Sequence, residues 1–371
     1  MWKPFSPPSS RTPEPGSPEP VTPEPLCAEK EGRLGHDRGV VLILVLFMIL
    51  LLTGVITRFV LTSRAFLRQT EIYAHSVSAL YIARAAIAIA KVALVESLQM
   101  ATQSGMNVVT TAQPWATPII NYPVSNAGFV SGLVTDEASK FNINMLTGVG
   151  GAIDPHRLIQ FTRLFTSVGA DPALLPAISQ WVTPAPNMAG PPGPYGGFVP
   201  PYRNRGGPMD VLSELHQIAG MTEGAYQALE PYLTVYTPGQ INVNTASPTV
   251  LAALDPGITP AIAQQIVARR PFLTLAQFQQ AVGPSIFANI SGDVTLTSQI
   301  FSVSAVGIAG ETKVAIRAVI SINGMQTQTL AYRIGGNRLL YQIDTLLRNA
   351  PLPPAGGEVP TIPVLQAGGG P

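Results

Sequence analysis

The chain has 371 residues, room for two or three modest domains, and it carries a net charge of +1 with only 12% charged residues. That balance excludes a broad basic field of the kind that gathers nucleic acid, and the lone cysteine, Cys27, excludes an intrachain disulfide and a thiolate metal cluster. The four histidines (His36, His75, His156, His216) lack metal spacing, and there is no Gly-x-Ser-x-Gly motif or phosphate loop, so no catalytic residues are assigned and the chain does not read as an enzyme. His216 beside Glu214 reads as a pair on one helix face rather than as a base.

Residues 1–39 repeat Pro-Glu-Pro and hold few large apolar side chains, so they cannot bury enough surface to offset the entropy of ordering and are expected to be disordered. Leu26-Cys27-Ala28 has no apolar segment before it and does not read as a lipidation site. Next comes Arg38-Gly39, followed by the uninterrupted apolar run Val40 to Leu52, which continues through Thr57 until Arg58. As a helix, residues 40–57 span roughly 27 Å, about a bilayer core. A dozen central Leu, Ile, Val and Phe residues favour insertion by roughly 5 kcal/mol. A secretory signal would be cut after its apolar run, whereas the candidate processing point, Gly39, precedes this one. A plain single-pass signal anchor is the alternative. Lys30, Arg33 and Arg38 before the run favour a cytoplasmic N-terminus, although Arg58, Arg64 and Arg68 after it weaken the contrast.

From Arg58 to about Gln103 the pattern stays helical, with Ala79, Ala83, Ala86 and Ala90 at three- and four-residue steps. That alanine tract permits close backbone approach to a sheet or a second helix. A polar stretch at 104–118 precedes an alternating strand, Gly128 to Thr135, and then a turn into Phe141-Asn142-Ile143-Asn144. Helices are expected at about 154–168 and 171–182, then a Pro/Gly-rich loop from Thr183 to Pro208, then short helices over Asp210–Ile218 and Thr222–Tyr232.

Ile241-Asn242-Val243-Asn244-Thr245-Ala246 echoes the earlier Asn-x-Asn, and both read as short strands ending in asparagine. Ser247-Pro248 and Thr259-Pro260 each set an N-cap hydroxyl before a first-turn proline, predicting helices over 248–254 and 260–269, with Thr274 capping a third through Val282. Three strands follow over 294–334, carried by Phe301, Val303 and Ala305, by Val314, Ile316, Ala318 and Ile320, and by Leu330 and Tyr332.

Three blocks in this order resemble the type II secretion system protein K family: Arg38-Gly39 before the apolar helix, Phe141 to Asn144 with Leu146, and Leu212-Ser213-Glu214-Leu215 through Gly220-Met221-Thr222 to Ile241–Ala246. The resemblance implies an α+β fold: a pilin-like long N-terminal transmembrane helix with an antiparallel sheet, and a large inserted helical domain of SAM-like or helix-hairpin-helix-like type. The expected division is a leader at 1–39, a transmembrane helix at 40–57 and its periplasmic continuation at 58–103. The first part of the pilin-like domain follows at 104–149, the insert at 150–236, a strand with a second small helical module at 237–290, the last strands at 291–335 and a Pro/Gly-rich tail at 336–371. The resemblance further implies cleavage by prepilin peptidase after Gly39, with Val40 as a methylated new N-terminus. It places the chain in the inner membrane, N-terminus cytoplasmic and C-terminal domain periplasmic. The implied function is that of a minor pseudopilin that caps or nucleates the pseudopilus and assists protein secretion. The implied partners are minor pseudopilins I and J, the prepilin peptidase and the inner-membrane assembly platform.

Leu44, fifth after the cleavage point, stands where most pseudopilins keep a glutamate, and the protein K type typically lacks that acid. Val40 replaces the usual Met or Phe, and the leader is long for the family. Some members bind calcium through an acidic Asp-Trp-Ile-Asp-like segment, but the corresponding Gln180-Trp181-Val182-Thr183 has no carboxylate, so no cofactor is assigned. Asp136, Glu137, Asp154 and Asp171 remain as scattered acids. The alternative reading is a membrane-anchored, competence-like DNA-binding protein using a helix-hairpin-helix at 245–270. There Thr259-Pro260 replaces the second glycine of the phosphate-holding hairpin and removes an N–H, and only Arg269 and Arg270 add charge, so nucleic acid is not expected as a partner.

Overall fold

A first helix, α1 (Asp37–Gln103), dominates the N-terminal part of the chain. The computed structural model describes residues 37–148, 150–184 and 193–349, so the Pro-Glu-Pro leader with Cys27 and His36, and the tail beyond Asn349, lie outside the described residues. The chain divides into two units, with residues up to Leu67 in one and Arg68 onward in the other.

In the second unit a five-stranded antiparallel sheet forms from β1 (Ile119–Val124), β2 (Gly128–Asp136) and three later strands. The chain leaves the sheet at the end of β2 and returns only at the adjacent strand. The excursion opens with β3 (Phe141–Asn142), α2 (Pro155–Ser167), α3 (Leu175–Val182), α4 (Glu223–Leu229) and β4 (Leu233–Thr234). It continues with β5 (Ile241–Asn242), α5 (Pro248–Leu254), α6 (Pro260–Ala268), α7 (Leu275–Val282), α8 (Pro284–Ile290) and β6 (Val294–Thr295). The sheet is then completed by β7 (Ile300–Ala309), β8 (Thr312–Asn323) and β9 (Gln326–Gly335), and α9 (Asn337–Asn349) follows. The strand order is β1-β2-β7-β8-β9, with Phe129 opposite Ile308 and Ala305 opposite Ile316.

Alternation along the strands gives the sheet two apolar faces. Phe301, Val303, Ala305, Ile316, Ala318 and Ile320 pack against Ala83, Ile87 and Leu94 of α1, with the Trp115 ring edge-on to Phe301 at 5.2 Å. On the other face Val306 and Ala315 are covered by Leu339 and Ile343 of α9. This corrects the reading of 336–371 as a Pro/Gly-rich tail: its first part, Asn337–Asn349, contains neither proline nor glycine and forms a helix on the sheet.

The excursion has one core. Phe141, Phe161 and Leu229 from its first half share it with Leu251, Ile266 and Phe278 from its second. The expected separation of 150–236 from 237–290 is therefore not a separation of cores. Two-residue parallel ladders close each half instead, β3 on β4 and β5 on β6. Two local expectations also shift. Residues Leu212–Gln217 form a 3-10 helix, and the helix expected at 171–182 begins as a 3-10 turn, Pro172–Leu174, before α3.

Candidate functional site

Gly39 and Val40 lie in the first turns of α1 and are exposed, and a Cβ on Gly39 would meet nothing within 4 Å. From Val40 to Leu52 every side chain is exposed, including Leu44 at 60%, and the run is long and apolar enough to cross a membrane. Its polar groups are satisfied within the helix: the Thr53 and Thr57 hydroxyls donate to the Ile49 and Thr53 carbonyls, each at 2.7 Å. In hydrocarbon such internal satisfaction removes a desolvation cost of several kcal/mol per group.

The alanine tract meets the sheet backbone. A Cβ on Gly307 would stand 2.0 Å from the Ala79 carbonyl oxygen and 2.9 Å from the Ala83 amide nitrogen, so only glycine at 307 allows this approach. Ala79 and Ala83 are both fully buried there.

The two asparagine pairs hold the insert in the same way. Asn142 Oδ1 accepts from the Asn144 amide at 2.9 Å, and Asn242 Oδ1 accepts from the Asn244 amide at 3.0 Å, ending each strand in a turn. The second asparagine then clamps one distant residue's backbone. Asn144 accepts from Met209 N at 2.8 Å and donates to Met209 O at 3.0 Å, while Asn244 accepts from Phe272 N at 2.8 Å and donates to Phe272 O at 2.9 Å. The side-chain amide thus replaces a missing strand neighbour.

At the end of β2 two adjacent buried carboxylates join sheet to insert. Asp136 accepts from Asn242 Nδ2 at 2.9 Å, Thr245 Oγ1 at 2.7 Å, the Ala138 amide at 2.8 Å and the Ser298 hydroxyl. Burial pushes its carboxyl above the ordinary value, against the pull of those donors. Glu137 accepts from Thr234 Oγ1 at 2.6 Å and pairs with Lys140 Nζ at 2.6 Å. Burial raises its carboxyl too, but the Lys140 charge together with hydrogen bonds outweighs it and the net shift is downward.

Other junction residues carried no local signal. Asp293, just before β6, accepts from Gln160 of α2 at 2.7 Å and pairs with His156 at 2.6 Å and Arg157 at 2.8 Å. Glu230 meets Arg317 of β8 at 3.4 Å and accepts from Gln342 of α9. His216 faces Glu223 at 3.1 Å rather than Glu214, because Glu214 turns inward to Arg205. In the hairpin region Ser247, Thr259 and Thr274 cap α5, α6 and α7 as their spacing predicts. Arg269 is exposed, whereas Arg270 folds inward to donate to the Ala246 carbonyl, and burial lowers its guanidinium to about 10. Asp154 and Asp171 cap α2 and the 3-10 turn before α3.

Two family models described as type II secretion system (T2SS), protein K, match residues 139–238 and 241–296, the two halves of the excursion. The type II secretion system protein K of Klebsiella pneumoniae is 29% identical over 63% of this chain and 76% of that protein. The protein of the same name from Pseudomonas aeruginosa PAO1 is 26% identical over 60% of this chain and 70% of that one. A putative protein K from Escherichia coli K12 is 24% identical over 80% of this chain and 97% of that one. In structure the chain is similar to one from the GspK-GspI-GspJ complex of the enterotoxigenic Escherichia coli type 2 secretion system. That match has a TM-score of 0.60 at 20% identity and covers 73% of this chain and 99% of that chain, which shows the fold. With both halves of the insert recognised and the long apolar helix and sheet in place, the chain belongs to the type II secretion system protein K family.

Proposed function

We propose that this chain is the minor pseudopilin that nucleates or caps the pseudopilus tip, anchored in the inner membrane with residues beyond the span in the periplasm. The carrying observation is α1, whose exposed apolar run leads without a break into an alanine face packed on the sheet. Gly39, unconstrained by packing, is the residue after which prepilin peptidase cuts, leaving Val40 as the methylated N-terminus. A charge-free Leu44 requires no counter-charge from a subunit beneath it, which suits the first subunit of a fibre. The insert between β2 and β7 adds bulk that would obstruct subunits stacking beyond it. By analogy with the named complex, its partners are pseudopilins I and J, and its role in export is assembly, not catalysis.

Co-expression with prepilin peptidase should remove residues 1–39, and intact mass should show a chain starting at methylated Val40. Gly39→Leu should abolish the cut. Full-length protein in detergent should co-elute with pseudopilins I and J with little change at moderate salt, whereas a phosphate-driven DNA complex would weaken by orders of magnitude over the same range. An uncut chain, together with no pseudopilin complex, would overturn the proposal.

A further inference from the structure

Some relatives implied by the sequence resemblance carry calcium in the insert, so the described oxygens around the end of α3 test whether those residues form a place for one. Calcium takes six to eight oxygen ligands, several of them carboxylate. Here Gln180 O accepts from Asn204 Nδ2 at 2.9 Å and Trp181 O from the Gly206 amide at 3.1 Å. Thr183 Oγ1 donates to Ser179 O at 2.7 Å and to Gly151 O at 3.0 Å. Two carboxylates stand nearby, Asp210 and Glu214, beside a cleft of about 580 Å³ that Trp181, Arg203 and Arg205 also line. Arg205 Nη1 donates to Glu214 Oε1 at 2.8 Å, and Nη2 donates to Asp210 Oδ2. Glu214 Oε1 also takes the amides of Asp210 at 2.9 Å and Val211 at 3.3 Å, while Oε2 takes the Trp181 indole N–H at 3.3 Å. These donors already occupy both oxygens of the more buried carboxylate, so the residues do not fit a divalent cation.

We infer that the Arg205 guanidinium does here what a bound cation would do, joining the 198–211 loop to Glu214 and the end of α3, and that the insert folds without calcium. The fork geometry explains the residue type: two nitrogens reach two carboxylates at once, which a lysine ammonium cannot reproduce with the same hydrogen-bond geometry. The inference is independent of where the subunit sits in the pseudopilus.

The test is thermal unfolding of the full chain in detergent, followed by tryptophan fluorescence, in EGTA and in millimolar calcium chloride. The wild-type midpoint should be the same in both, and calorimetry with calcium chloride should show no binding heat. Arg205→Gln should lower the midpoint by roughly 2–6 °C, and Arg205→Lys by less. A wild-type midpoint that rises with calcium would overturn the inference, because a ligand bound only to the folded state stabilises by mass action. An Arg205→Gln protein that melts with the wild type would overturn it equally. If Arg205→Gln does not fold, the lysine variant and the wild-type calcium comparison still decide.

Discussion

Residues 139–238 and 241–296 repeat one local plan, a short strand, an Asn-x-Asn turn and a backbone clamp, yet adjacent carboxylates of different character tie them to the sheet. The first half meets Glu137, whose charge is balanced by Lys140 and whose carboxyl is held below its ordinary value. The second meets Asp136, surrounded by neutral donors and pushed upward by burial. Equivalent positions in the two clamps also differ in burial, since Asn244 is 0% exposed while Asn144 is partly open. A similar sequence signal can therefore carry different energies, set by whether water or a counter-charge can reach it.

Breaking the clamps should show the largest difference. Asn244→Ala leaves the Phe272 N–H and C=O without their side-chain partner in a dry site, which should cost roughly 2–4 kcal/mol. Asn144→Ala frees the corresponding groups of Met209, which is itself buried, but the vacated asparagine position is partly open and admits water to them, so about 1–2 kcal/mol is expected. Urea midpoints at unchanged m-value measure both. Equal losses would mean that burial does not separate the two halves.

The carboxylates sharpen the contrast through pH. Glu137→Gln removes the counter-charge of a Lys140 side chain only 15% exposed, and the protein should lose roughly 2 kcal/mol at neutral pH. Because the folded Glu137 carboxyl lies below its ordinary 4.5, its stabilisation is present above that value and is lost as pH falls through the folded value. Asp136 has the opposite sign. Its folded carboxyl lies above 3.8, so its contribution is greatest below 3.8 and declines as pH rises toward the folded value. Glu137→Gln should flatten the acid side of the stability profile, and Asp136→Asn should flatten the decline above 3.8.

The smallest effect should come from a feature confined to the second half. Thr259→Ala removes the hydroxyl that accepts from the Ile262 amide at 3.3 Å, an exposed cap worth about 1 kcal/mol. Thermal melts should show a small shift and leave partner binding intact.

What was legible in the sequence was local. Ser247, Thr259 and Thr274 announced three helices because a cap and its amide lie three residues apart, and the Asn-x-Asn echo was visible because each asparagine bonds two residues along. β1 has no clear strand pattern in the sequence because Asn121, in the left-handed region at φ 49°, and Pro123 interrupt its alternation. α8 is obscured because it follows Gly283-Pro284, a pair that reads as a turn. α9 is masked in the sequence by the Pro/Gly-rich composition of residues 351–371 that follow it, although Asn337–Asn349 itself holds neither residue type. The ties of Asp293 to α2 and of Glu230 to β8 and α9 join residues far apart in the chain, so their partners could not be inferred from spacing.

Gly307 facing Ala79 has a mechanical meaning. At this point the helix sits backbone against backbone with no side chain between, so its axial position there is indexed to β7. Traction applied along α1 would enter the sheet at its central strand, which is laced to β2 on one side and β8 on the other, rather than at an edge that could peel. Enlarging residue 307 would turn a fixed coupling into a compliant one.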